Sequence, residues 1–280
     1  MSGKWTTWKN LGWALGIVVC LLALFVGFII AIVNRYSGDT FSGSTSLTSE
    51  TVSSNSDVTE LTPSTASETG DVMTLEETSD AGQEYIDKLT FLCDSALIGM
   101  RDFGLLSGGT GTTQVWGTSS GTLRVADLPT ANIVYPSDGS SITIADAAMI
   151  AKPEILVICV GQDGLAAVDE STFKTCYSTM ISNILNSSPD TKIICCTISS
   201  VSNSYSGVDD LTPVLIGEAN EWIREVSASL GVYYTDAGKA VGDGSGAVGS
   251  TYLSSNSKTL NSSGINQILN YLRTHALTTD

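Results

Sequence analysis

The sequence predicts an exported α/β domain, a single parallel sheet with helices on both faces, preceded by one transmembrane helix. Three observations predict it. A charge-free apolar run occupies positions 11–33. An acidic stretch rich in Ser and Thr follows it. Beyond that stretch, apolar strand-like runs alternate with segments of helical periodicity, which is the pattern of βαβ units.

The apolar run reads LGWALGIVVCLLALFVGFIIAIV. As a helix rising 1.5 Å per residue it is roughly 34 Å long, enough to cross a hydrocarbon core of about 30 Å. Lys4 and Lys9 precede it, Arg35 follows it, and the next basic residue is Lys88. The positive-inside rule then places residues 1–10 in the cytoplasm and everything after Arg35 outside the cell membrane. The lipid bilayer is the expected partner of residues 11–33. A cleaved signal peptide is the alternative. Its apolar region spans about 7–15 residues and ends in a small-x-small site, whereas this run is longer and IIAIVNRY offers no clean site. Either way the bulk of the chain is exported.

The formal net charge of −16 is concentrated. Between Tyr36 and Asp87 there are eleven acidic residues and no basic one. Such a stretch cannot bury enough apolar surface to offset chain entropy. Residues 34–83 are therefore expected to form a disordered stalk, extended by like-charge repulsion. Nucleic acid is not an expected partner, because no basic patch occurs. The six cysteines show no zinc-site spacing, and the five outside the membrane run make an odd number. They read as small buried hydrophobes, with a disulfide left open. No metal or cofactor is expected.

The folded domain is expected over residues 84–280. Residues 89–92 read as a short buried strand and Val115-Trp116 as another. Residues 144–151 read as a helix stopped before Pro153. The continuous apolar run at 155–160 is the mark of a central strand covered on both faces. Residues 171–185 have helical periodicity, and 192–198 form a second apolar strand. Residues 213–230 read as a helix with Pro213 in its first turn and Gly231 just after its end. Residues 232–234 are a third strand of this kind. The last helix, 263–277, carries Ile265, Ile268, Leu269, Leu272 and Leu277 on one stripe.

In parallel α/β sheets, ligands bind at the carboxyl ends of the strands. The segments to inspect are Cys93-Asp94-Ser95, the loop at 117–122, and Gly161-Gln162-Asp163-Gly164. With the C-terminal helix, these segments resemble the SGNH/GDSL hydrolase family, from about Tyr85 onward. Phe91-Leu92-Cys93-Asp94-Ser95 stands where that family has a strand and Gly-Asp-Ser, with Cys93 in the glycine slot. Gly121 is the choice for the block II glycine, with Gly117 the runner-up. Gly161-Gln162-Asp163-Gly164 follows the central strand as the family's Gly-x-Asn block does, so Asp163 replaces asparagine. The tail Ile268-Leu269-Asn270-Tyr271-Leu272-Arg273-Thr274-His275 fixes the register of the last block. There Asn256 replaces the triad aspartate and Thr259 the triad histidine. The resemblance implies a flavodoxin-like three-layer fold.

It also implies a serine esterase chemistry that this chain lacks in part. In the family the block I serine is the nucleophile, which puts Ser95 in that position. A serine hydroxyl needs a base within hydrogen-bond reach, and a histidine oriented by an aspartate serves. Thr259 cannot accept a proton at neutral pH. The oxyanion positions fall on the Ser95 amide, Gly121 and Asp163. An ionised carboxylate at Asp163 has no hydrogen to donate, although a protonated one would. His275 matches a non-catalytic histidine of the family's tail. A Ser-Lys dyad using Lys258 is a further alternative. Ser95 also has a plain structural reading, as the cap of a helix starting at Ala96. The Gly-rich stretches at 107–111 and 244–249 read as loops, because neither has the strand and helix context of a nucleotide site. The expectation is a catalytically impaired pseudoenzyme that binds or scaffolds at the cell envelope, its ligand an acylated glycan or peptidoglycan fragment. The alternative is an active serine esterase or deacetylase on acylated cell-surface glycans with a non-standard constellation, and a third reading is a structural surface protein whose cleft is vestigial.

Overall fold

The computed structural model describes residues 71–278. The expected cytoplasmic tail, the transmembrane run and the stalk as far as residue 70 lie outside the described residues. Among the described residues, no helix is long and apolar enough to cross a membrane. In chain order the strands are β1 (Met73–Thr74), β2 (Leu89–Cys93), β3 (Val115–Trp116), β4 (Asn132–Val134), β5 (Ser141–Thr143), β6 (Ile155–Cys159), β7 (Lys192–Cys196) and β8 (Tyr233–Thr235). The helices are α1 (Gly82–Ile86), α2 (Gly99–Asp102), α3 (Ile144–Ala151), α4 (Glu170–Ser187), α5 (Pro213–Leu230) and α6 (Ser262–Thr274).

One six-stranded sheet has the order β1-β8-β7-β6-β2-β3, and every neighbouring pair in it is parallel. β4 and β5 form a separate antiparallel hairpin. Side chains leave a strand alternately to its two faces, and β6 shows the consequence. Leu156 and Ile158 join one core, with α3, α4 and α5. Ile155, Val157 and Cys159 join the other, with α1, α2 and α6. All five β6 residues are buried, which is why this strand reads as an unbroken apolar run.

The helix ends are set by named side chains. Thr143, Asp169, Thr212 and Asn261 each accept a backbone N–H as N-caps of α3, α4, α5 and α6. Gly231 ends α5 at φ +61°. α6 contains Gly264 and two asparagines, poor helix formers costing at most about 1 kcal/mol each. Its buried stripe of Ile265, Ile268, Leu269 and Leu272 outweighs them, at roughly 1.5–3 kcal/mol per side chain.

Two expectations need correction, and one element was missed. The stalk does not reach residue 83, because Met73 and Thr74 pair with Tyr233 and Tyr234 at the sheet edge. Leu75 is buried, and Asp80 takes a hydrogen bond from Arg273 Nε at 2.8 Å. An edge strand offers backbone pairing to any residue type, so acidic composition did not reveal it. The β4–β5 hairpin was also not expected, although Asp138-Gly139 between two apolar runs is a turn signal. Finally, α2 starts at Gly99 rather than Ala96, and it spans only four residues.

Numbering the five main strands β2, β3, β6, β7 and β8 as 1 to 5, their spatial order is 2-1-3-4-5. This is the flavodoxin-like order, and its direction reverses between β2 and β6. That switch point lies between the turn after Cys93 and the turn after Cys159.

Candidate active site

Two turns face each other across the switch point. Asp94, directly after β2, is 1% exposed. Its Oδ2 accepts the Gly161, Gln162 and Asp163 amides at 2.9, 2.8 and 3.4 Å. Its Oδ1 accepts the Ala96 amide at 3.0 Å. Gly161 makes this wrapping feasible: it sits at φ +135°, and a Cβ there would lie 2.8 Å from Ile198 Cδ1. Burial first, and then the nearby Asp163 charge, push the Asp94 carboxyl up to about 6, against the lowering effect of its backbone bonds.

Asp94 thereby aims Asp163 at Ser95. The Ser95 hydroxyl donates to Asp163 Oδ1 at 2.5 Å, and the Ser95 amide donates to Oδ2 at 3.1 Å. Oδ2 also accepts the Leu123 amide at 3.0 Å. Lys258 donates to Oδ1 at 3.3 Å and to Asp209 Oδ2 at 2.8 Å. Asp209 in turn accepts the Tyr205 hydroxyl at 2.5 Å. Asp163, 4% exposed, is thus an acceptor from every side-chain partner. That is the reverse of the donor role an oxyanion hole asks of this position.

Ser95 does not cap α2, whose N-cap is Ile98 with no side-chain bond. Gly121 lies at φ +75° against Ile98, and its amide is taken by the Thr118 carbonyl at 3.1 Å. The amide turned to the site is that of Leu123, two residues on. Gly117 pairs with Val134, whose amide bonds its carbonyl at 2.9 Å. Asn256 and Thr259 bond each other: Asn256 Oδ1 accepts the Thr259 amide, and Asn256 Nδ2 reaches Thr259 Oγ1, both at 3.0 Å. Among the described residues, neither has a hydrogen bond to Ser95 or Asp163; their neighbour Lys258 reaches the site instead. Burial pulls the Lys258 amine down, but its bond to Asp209 and the charges of Asp163 and Asp209 outweigh this and hold it above its ordinary value. A Ser-Lys dyad needs the neutral amine. His275, the single histidine of the chain, stacks on Tyr271 with ring centroids 3.7 Å apart. Its Nδ1 lies 3.0 Å from the Tyr271 carbonyl at the end of α6.

Leu123, Tyr205, Asp209 and the organising role of Asp94 were not expected from sequence. Asp94 had a signal, being a buried-strand neighbour of Ser95. The Leu123 amide and the 205–209 loop carried none. The five cysteines outside the apolar run are free, four of them buried.

The fold and the site define a doubly wound α/β protein with a serine–carboxylate–lysine centre at its switch point. No family model matches the chain, and no curated protein matches it. Solved structures similar to it include a Streptococcus pneumonia protein proposed to be a platelet activating factor, at 16% identity and TM-score 0.49, covering 66% of this chain and 82% of that one. A carbohydrate esterase family 3 protein from Talaromyces cellulolyticus is 15% identical, with TM-score 0.41 and coverage of 66% and 92%. An acetylxylan esterase from Geobacillus stearothermophilus is 14% identical, with TM-score 0.41 and coverage of 68% and 94%.

Proposed function

We propose that this chain is a membrane-anchored, SGNH/GDSL-hydrolase-like protein of the cell envelope that binds its ligand without turning it over. The observation that carries this reading is the 2.5 Å bond from Ser95 Oγ to Asp163. The hydroxyl that would be the nucleophile is paired with a carboxylate, and the position of the family's histidine holds Thr259. Losing one oxyanion donor costs about 2.7–4 kcal/mol in a serine protease, and a base contributes about 10²–10⁴-fold. Both losses fall on the transition state and spare ground-state binding. The family resemblance suggests an acylated glycan or peptidoglycan fragment as ligand, and residues 11–33 the bilayer as anchor.

The test is hydrolysis of short p-nitrophenyl esters by the full chain beside Ser95→Ala. Equal, background rates are expected. The same bond also favours a second reading, in which Asp163 takes the Ser95 proton and the protein is an esterase with an unusual base. Robust hydrolysis that Ser95→Ala removes would establish that reading and sink the first.

A further inference from the structure

Four hydrogens converge on the buried Asp163 carboxylate. Asp163 Oδ2 takes the Ser95 and Leu123 amides, at 3.1 and 3.0 Å. Oδ1 takes the Ser95 hydroxyl and the Lys258 ammonium, at 2.5 and 3.3 Å. The donors come from three separate segments: the turn after β2, the loop after β3, and the loop before α6. None of them belongs to the turn that carries Asp163. Two rigid amides, a hydroxyl and a cation around a bidentate anion satisfy what a buried carboxylate requires.

Lys258 and the Asp163 backbone are each held by bonds other than the one between them. Lys258 has its own anchor in Asp209, which Tyr205 holds from the other side. The Asp163 backbone is fixed separately: its amide donates to Asp94, and its carbonyl accepts the Val125 amide at 2.9 Å. Beyond Cα, an aspartate side chain is acetate minus one hydrogen, so the receptor has the size of a small monocarboxylate.

We infer that Ser95, Leu123 and Lys258 form a carboxylate-binding site that Asp163 occupies in cis, holding it shut. This rests on reading the cleft as a ligand site and says how it is regulated. A tethered ligand acts at an effective concentration in the millimolar range or above, so an external carboxylate enters only when Asp163 is displaced. The resting cleft therefore rejects free carboxylates.

The test is chemical rescue in the detergent-solubilised full chain, with the Ser95 and Leu123 amides followed by selective ¹⁵N labelling. In Asp163→Gly, acetate should shift both amides saturably; in Asp163→Ala, where a Cβ remains, formate should do so. Neutral acetamide should not, and adding Lys258→Met should weaken the response about tenfold. The unmodified chain should show no saturable shift. A folded Asp163 variant whose two amides ignore both anions would overturn the inference, as would equal binding by the unmodified chain. Should the variants fail to fold, hydrogen exchange in the unmodified chain decides. Both amides should be protected, with faster exchange in Lys258→Met, and unprotected amides would sink the idea. Ester turnover by the unmodified chain would refute the binding reading and leave these shifts untouched, so the two failures are distinguishable.

Discussion

Asp94 and Asp163, buried carboxylates on facing turns, are joined by a direct bond: the Asp163 amide donates to Asp94 Oδ2 at 3.4 Å. Asp94 thus orders the turn that aims Asp163, while the Asp163 charge helps to raise the Asp94 carboxyl to about 6 from an ordinary 3.8. Ionising Asp94 in the folded state therefore costs roughly 3 kcal/mol.

That shift predicts a titration. The Asp94 side-chain carbon should titrate near 6 by NMR. Asp163→Asn should lower the midpoint by removing the charge, yet leave it above 3.8, because burial is the larger cause. A midpoint unmoved by Asp163→Asn would show that the two carboxylates are not coupled.

Stability should follow with a definite sign. The folded value of Asp94 lies above the unfolded one, so the native state binds more protons between them. The Asp94 contribution is complete below 3.8 and is lost as pH rises through about 6. Urea unfolding should show this part of the pH profile in the unmodified chain and not in Asp94→Asn. A contribution that grows with rising pH over the same window would contradict the assignment.

Rebuilding the triad tests the chemistry. Thr259→His with Asn256→Asp supplies a base and its orienter, and Asp163→Asn exchanges the acceptor for a donor. The triple variant should gain Ser95-dependent esterase activity of about 10²-fold or more over the unmodified chain, since each restored function is worth at least that much. Activity insensitive to Ser95→Ala would count against the arrangement.

The α6 stripe should carry the core that it shares with α1 and α2. Ile268 is fully buried there, and Ile268→Ala should cost about 2–5 kcal/mol, read as a lower urea midpoint at unchanged slope. A loss under about 1 kcal/mol would mean that α6 packs loosely.

Topology is open to a simple experiment. Protease added to intact cells should release the domain by cutting after Tyr36 and before Met73, where β1 joins the sheet. Full protection in intact cells would reverse the orientation read from Lys4, Lys9 and Arg35.

What the sequence determined by itself was periodic or local. The unbroken run of β6 could be read because burial on both faces demands apolar residues at every position. The ends of α5 could be read because Pro213 and Gly231 act through their own backbone dihedrals. The positions of Ser95 and Asp163 were also legible, since each lies within four residues of the end of a recognisable strand. Other features were decided by tertiary structure alone. β1 uses backbone pairing, which leaves no side-chain signature. The Leu123 amide points at Asp163 because of loop conformation, whatever side chain stands there. Lys258 meets Asp163 across 95 positions of chain and Asp209 across 49. Composition cannot say which of several lysines and aspartates the folded loops bring within 4 Å, because charge pairing is set by distance and not by order along the chain.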